Sequence, residues 1–255
     1  MPILGEWTAN LHQLSTQFNT ANPYPHVVIP NFFSEQVAER LFSEFPMPTS
    51  DCWFVYKNPL EDKLACNDFN KLPSIYKTTF DILANNETVS LMSQITGISD
   101  LESDRELFSA GLHQHTKNGK LGIHLDNSHH PSGKERRITL VVYMCKNWKT
   151  EYGGDLELWD DEMKHCVSRI VPAFNNAVLF QTSGMCYHGF PDPIDCPQEI
   201  TRNSLACYYL SPPRLGVVNR PKAQFVARPT DAPSELLDRL REIRKVRRIE
   251  NDDLI

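Results

Sequence analysis

Leu121-Gly122-Ile123-His124-Leu125-Asp126 reads as a short extended segment whose polar members share one side. In a strand, residues two apart point to the same face, so His124 and Asp126 can reach one ion while Leu125 turns to the opposite side. On either side of this segment, short apolar runs recur between turn signals from about residue 107 onward: Phe108 to Leu112, Ile138 to Met144, Asp155 to Trp159, Val167 to Val171, Ala177 to Gln181 and Leu205 to Leu210. Many short strands at such intervals specify a β-sandwich or barrel.

Two further polar marks lie downstream on the same background. His188 follows the run Ala177-Val178-Leu179-Phe180, and Arg202-Asn203-Ser204 opens the last strand, with Arg202 and Ser204 on one face. Two imidazoles and one carboxylate on one side of a metal leave its other coordination positions open, the donor set of non-haem Fe(II) oxygenases. A structural zinc site would close its shell with four protein ligands in short Cys or His pairs, and no such pair is spelled here. The other histidines lack this frame. His113 and His115 lie two apart in a strand-like run without a carboxylate partner, which reads as pocket lining or packing, and His129 and His130 belong to a loop.

With 255 residues, 40% of them hydrophobic, the chain can bury a full core, and one domain over 1–255 is expected: a mostly helical flank at 1–106, a β core at 107–215 and a C-terminal extension at 216–255. The net charge of −6 argues against nucleic acid and anionic membranes as general partners. The first residues spell no secretory leader and no run approaches the roughly 20 apolar residues of a membrane span, so a soluble, cytoplasmic protein is expected. Seven scattered cysteines read as reduced, mostly buried thiols.

Helices come first in the chain. Leu4 to Phe18 carries helical spacing, Ser34 is placed to cap a second helix with Val37, Leu41, Phe42 and Phe45 inward, a third runs from Pro73 through Leu83, and a short fourth lies near Val89 to Ile95. In the tail, Ser234 can cap a helix with Leu236, Leu240, Ile243 and Val246 on one stripe and six basic residues around it. A docked helix with a solvated charged face is expected, a contact for an acidic partner being the alternative.

Residues 107 to 211 resemble the catalytic core of the Fe(II)/2-oxoglutarate-dependent dioxygenases, specifically the prolyl hydroxylase-like branch. The resemblance rests on the order and intervals of Leu121-Gly122-Ile123-His124-Leu125-Asp126, Arg136-Arg137-Ile138-Thr139-Leu140-Val141-Val142-Tyr143, Asn147-Trp148, Tyr152-Gly153-Gly154-Asp155-Leu156-Glu157-Leu158-Trp159, Phe174-Asn175-Asn176-Ala177-Val178-Leu179-Phe180, His188-Gly189 and Arg202-Asn203-Ser204. It implies a mainly β, α+β fold: a double-stranded β-helix of jelly-roll, cupin-like type, packed with the N-terminal helices. It further implies iron ligation by His124, Asp126 and His188, with 2-oxoglutarate bound to the iron and its far carboxylate taken by Arg202, 14 positions beyond His188. A guanidinium grips a carboxylate through two parallel charge-assisted bonds, which suits that role. Ser204 could add a hydroxyl, Tyr143 a donor to the same carboxylate and Leu156 an apolar wall, while Thr139, Val141 and Tyr143 line the cosubstrate from one strand face and Leu140 and Val142 fill the core behind.

The activity so implied consumes dioxygen and 2-oxoglutarate, with ascorbate as a possible reductant, releases succinate and carbon dioxide, and hydroxylates an unactivated C–H bond. Asp126 favours hydroxylation over halogenation, because a halogenase of this fold would lack that carboxylate. The first expectation for substrate is a prolyl residue or an amino acid; the alternatives are a small natural-product intermediate, a cupin-like metal enzyme that uses no 2-oxoglutarate, and a non-catalytic binding domain. The aromatic and polar stretch Trp53-Phe54-Val55-Tyr56-Lys57 through Lys63 is expected to cover the substrate mouth.

Overall fold

The computed structural model describes residues 3–254. Among them the chain forms α1 (Leu11–Thr20), β1 (His26–Ile29), α2 (Glu35–Ser43), the hairpin β2 (Phe54–Asn58) and β3 (Glu61–Cys66), α3 (Ser74–Leu83), α4 (Asn86–Thr96) and the two-residue β4 (Glu102–Ser103). The remaining elements are β5 (Gly111–His115), β6 (Lys120–Leu125), β7 (Glu135–Tyr143), β8 (Leu156–Trp159), β9 (Cys166–Ile170), β10 (Ala177–Gln181), β11 (His188–Phe190), β12 (Arg202–Ser211), β13 (Gln224–Phe225) and α5 (Glu235–Arg244). Every strand pairing is antiparallel, in the order β1-β10-β7-β12-β5-β3-β6-β11-β8-β9, and the sheet curls into a half-barrel flanked by helices.

The two-residue period of β7 and β12 divides the molecule. Ile138, Leu140 and Val142 of β7 pair with Tyr209, Cys207 and Leu205 of β12 on the outer face, where Phe18, Leu41, Tyr76, Phe80, Leu83, Met92 and Ile95 from α1 to α4 cover them. Each such aliphatic or aromatic side chain contributes about 1.5–3 kcal/mol by leaving water. The intervening residues Thr139, Val141 and Tyr143 face the concave side together with Tyr208, Ala206 and Ser204, and that side holds the cavity.

Local chemistry moves several elements from their expected places. The strand expected from Phe108 begins instead at Gly111, because Leu107 and Ser109 adopt positive φ and the Asp104 carboxylate accepts from the Glu106 and Phe108 N–H groups, which holds this stretch as a turn. The first helix is broken at Asn10 (φ −119°, ψ 30°) into a 3-10 turn, Glu6–Ala9, and α1. Ser34 occupies the N-cap position of α2, but its hydroxyl makes no capping bond and is buried without a partner. Phe42 lies on the surface edge-on to Phe174 rather than inward. In the tail, the Ser234 hydroxyl accepts from the Leu237 N–H as expected, but the helix stops at Arg244, so Val246 lies beyond it and is 73% exposed. Arg244 turns inward and pairs with Glu61 of β3. All seven cysteines are free thiols, six of them buried. No helix among the described residues is long and apolar enough to cross a membrane.

Candidate active site

β6 and β11 bring the two sequence-distant histidines into direct register, His188 opposite His124. Their approach depends on glycine: a Cβ on Gly189 would lie 2.7 Å from the Gly122 carbonyl oxygen. His124 Nδ1 is 2.9 Å from the Gly122 carbonyl oxygen, and His188 Nδ1 is 3.0 Å from that of Cys186. A carbonyl only accepts, so each Nδ1 carries the proton and each Nε2 keeps its lone pair. Those Nε2 atoms lie 3.6 Å and 3.8 Å from the two Asp126 carboxylate oxygens, and the three candidate ligand atoms sit within 4.8 Å of one another. Phe225 stacks on the His124 ring and Phe180 meets the His188 ring edge-on, so both imidazoles are held in plane by apolar neighbours.

The electrostatics suit a cation. Burial opposes ionisation of Asp126, but the adjoining His124 and His188 rings and Arg136 hold its carboxyl well below the usual carboxylate range. Burial, reinforced by the neighbouring His124, lowers His188 to about 4, so its ring is neutral at physiological pH. The Thr139 hydroxyl donates to Asp126 Oδ2 at 3.2 Å and lies 2.9 Å from Thr182 Oγ1. From behind, Arg220 Nε donates to the Asp126 main-chain carbonyl at 3.3 Å.

The cavity, of about 220 Å³, is lined also by residues of β12, β5 and β7. Arg202 is 97% buried; its Nε donates to the Gly154 carbonyl at 2.8 Å, one terminal nitrogen lies 3.5 Å from the Tyr143 hydroxyl, and its plane lies over Phe190 at 3.9 Å. Among the described residues no carboxylate pairs with it. Gly154 has φ +75°, and a Cβ there would lie 2.7 Å from Ile194 and 3.2 Å from the Arg202 side chain, so this turn is shaped around the guanidinium. Ser204 lies in register with both Tyr143 and His113, and Leu156 and Val141 supply apolar wall. Burial pushes the Tyr143 hydroxyl above its ordinary pKa, so it is a proton donor.

The structure thus brings all seven expected site residues to one cavity. Thr139 lines the cavity, and its hydroxyl is engaged at Asp126. The hairpin is split: Phe54 and Tyr56 line the cavity, whereas Trp53, expected at the mouth, stacks on Phe45 and donates its indole N–H to the Met47 carbonyl. His113 lines the cavity, and His115 is a buried ring with neither nitrogen hydrogen-bonded, edge-on to Phe190. Sequence reasoning missed Arg136, fully buried across the Tyr208 ring at 3.6 Å and bonded to Asn127 and the Phe108 carbonyl, and Arg220. Nothing in the local pattern marks a buried arginine: both sit in polar flanks that read as solvated.

Residues 110–210 match the family model described as the 2OG-Fe(II) oxygenase superfamily. Over 201 residues the chain is 26% identical to the prolyl 3-hydroxylase OGFOD1 of Mus musculus, a similarity covering 75% of this chain and 33% of that protein, so the chain spans about a third of its relative's length. Among solved structures, it resembles a Trichoplax adhaerens prolyl hydroxylase crystallised with a hypoxia inducible factor peptide (TM-score 0.59, 18% identity, covering 81% of this chain and 94% of that one). It also resembles a Pseudomonas putida prolyl-4-hydroxylase (TM-score 0.56, 14% identity, 78% and 100% covered). These likenesses establish the double-stranded β-helix. The stretch matched to the 2OG-Fe(II) oxygenase superfamily thus carries the His124, Asp126 and His188 cluster and the buried Arg202, and the chain around it is similar to prolyl hydroxylases.

Proposed function

We propose that this protein is an Fe(II)- and 2-oxoglutarate-dependent dioxygenase that hydroxylates a prolyl residue. The observation that carries the reading is a single cavity with two metal-ready Nε2 atoms and a carboxylate at one end and an unpaired, buried guanidinium at the other. The donor set fits ferrous iron: two nitrogens fixed in the ligating tautomer by backbone acceptors, one ionised oxygen donor and, among the described residues, no fourth protein ligand closing the shell. His124, Asp126 and His188 would hold the metal. Bound there with 2-oxoglutarate and dioxygen, it supplies the oxidation that turns C–H into C–OH as the cosubstrate leaves as succinate and carbon dioxide.

The chain's own residues bind, orient and shield. Arg202 takes the far carboxylate of 2-oxoglutarate through the face left free by its bond to Gly154, and Tyr143 and Ser204 offer hydroxyls beside it. Thr139 fixes the orientation of Asp126 rather than touching the cosubstrate. Val141, Leu156, Phe180 and Phe190 wall the cavity with apolar surface, which keeps water from the reacting carbon. Phe54 and Tyr56, edge to face at 4.8 Å, add aromatic surface to the cavity lining. The similarity to a mouse prolyl 3-hydroxylase supports a prolyl substrate over a free small molecule.

Incubation with Fe(II), ascorbate, 2-oxoglutarate and a panel of prolyl peptides tests this. Succinate release coupled to a gain of one oxygen by a peptide, abolished in Asp126→Ala, is expected. Metal binding without any 2-oxoglutarate turnover would favour the cupin-like alternative.

A further inference from the structure

The cavity mouth is lined by four cations, Lys63, Lys222, Arg244 and Arg248, and by one carboxylate, Glu61. Glu61 is already spent: it is almost wholly buried, with Arg244 Nε at 2.8 Å and Lys63 Nζ at 3.2 Å, and although burial opposes it, those two cations hold its carboxyl below the usual range. Among the described residues, Arg248 and Lys222 have no ion pair. Arg248 instead lies 4.1 Å over Phe54 and 5.5 Å over Tyr56, with Lys63 4.9 Å from Tyr56. The mouth therefore carries a surplus of positive charge in a chain whose net charge is −6. A pocket with low-dielectric walls concentrates such a field, and cations seated on rings are held in place before a ligand arrives.

None of these residues falls within 110–210, the stretch matched to the superfamily. They come from the hairpin, the loop after β12, the last residue of α5 and the segment that follows it, all outside the matched core. Resting on the prolyl hydroxylase reading, we propose that the mouth selects prolyl segments bearing carboxylate side chains within a few residues of the hydroxylated proline. Arg248 and Lys222 are the specificity-determining contacts; Arg244, tied to Glu61, is the fixed part of the field. The occupant is an acidic peptide rather than nucleic acid because the basic groups line one cavity instead of forming the broad basic footprint a phosphate backbone needs.

Fluorescein-labelled pools of prolyl peptides with acidic, neutral or basic flanks, titrated onto the full chain and followed by anisotropy, test the proposal. The acidic pool is expected to bind about tenfold tighter than the basic one, an advantage that shrinks as salt rises. Arg248→Glu and, separately, Lys222→Glu should each cut that preference by about threefold or more, raising KM for acidic peptides more than they lower kcat. Equal binding of the three pools, a preference for basic flanks, or displacement of the acidic pool by a short single-stranded oligonucleotide at lower concentration than by unlabelled acidic peptide would each overturn it. Mass spectrometry of the same pools with Fe(II) and 2-oxoglutarate separates the two readings. Peptides oxidised regardless of flanking charge refute the acidic mouth and leave the hydroxylase reading intact; acidic peptides bound through Arg248 but never oxidised refute the hydroxylase reading and leave the charge selectivity standing.

Discussion

Replacing Gly189 by alanine tests whether the close crossing of β11 and β6 sets the metal pair. An added Cβ would meet the Gly122 carbonyl oxygen at 2.7 Å, the Leu121 carbonyl oxygen at 2.8 Å and the Gly122 carbonyl carbon at 3.0 Å, all backbone atoms that cannot rotate away. Ordinary contact begins near 3.4 Å, so β11 must retreat from β6 by about 0.7 Å. That displacement acts on both imidazoles at once. His188 is the chain neighbour of Gly189, and the Gly122 carbonyl under pressure is the acceptor that holds His124 Nδ1. Overpacking of this kind costs about 1–3 kcal/mol, which lowers Tm by several degrees in a chain of this size, and disturbing the groups that orient a metal ligand weakens affinity by about 10–100-fold. Calorimetric melting and anaerobic Fe(II) titration read the two effects separately. If Gly189→Ala melts with the parent and binds Fe(II) within about threefold of it, well inside that 10–100-fold range, strand approach is not what fixes the pair.

Three further outcomes are expected. Arg202→Lys keeps the charge but loses the fork and the bond to Gly154, so 2-oxoglutarate affinity measured by calorimetric titration should fall about tenfold or more while Fe(II) binding is retained; undiminished affinity would remove Arg202 from the cosubstrate site. His188 stays neutral in the folded protein down to about pH 4, whereas an unfolded ring takes up its proton near pH 6.5. The unfolded state therefore binds more protons in that window, and His188 alone should cost the metal-free protein on the order of 2 kcal/mol between pH 7 and pH 5, on top of the losses from His113 and His115, seen as a falling Tm whose slope His188→Phe reduces. A Tm slope that His188→Phe leaves unchanged contradicts a buried neutral ring at 188. Finally, Tyr56→Ala should raise KM for peptide with Fe(II) binding intact, whereas Trp53→Ala should lower Tm instead, because Trp53 packs on Phe45 away from the cavity; a KM effect from Trp53 would reverse this division.

The division between what was legible in the chain and what was not follows from the range of the interactions. His124 and Asp126 could be read because a strand fixes the relation between residues two apart without outside help, and the alternation of Thr139, Val141 and Tyr143 against Leu140 and Val142 is set by the same pleat. His188 and Arg202 could be placed in the site only by resemblance, since their meeting with His124 and Tyr143 depends on which strands pair, a property of the whole sheet. Phe108 to Leu112 misled because apolar composition carries no information about φ: the Asp104 carboxylate bonding two N–H groups outweighs strand propensity there. The basic tail misled for a related reason. Arg244 and Arg248 look like any solvated helix face until the hairpin supplies a buried Glu61 and two aromatic rings nearly two hundred positions earlier in the chain. A charge is legible as surface or site only once its partner is known. That is why the His124–Asp126 pair, set by local strand geometry, and the aromatic hairpin were readable in sequence, while the tail cations that meet the hairpin were not.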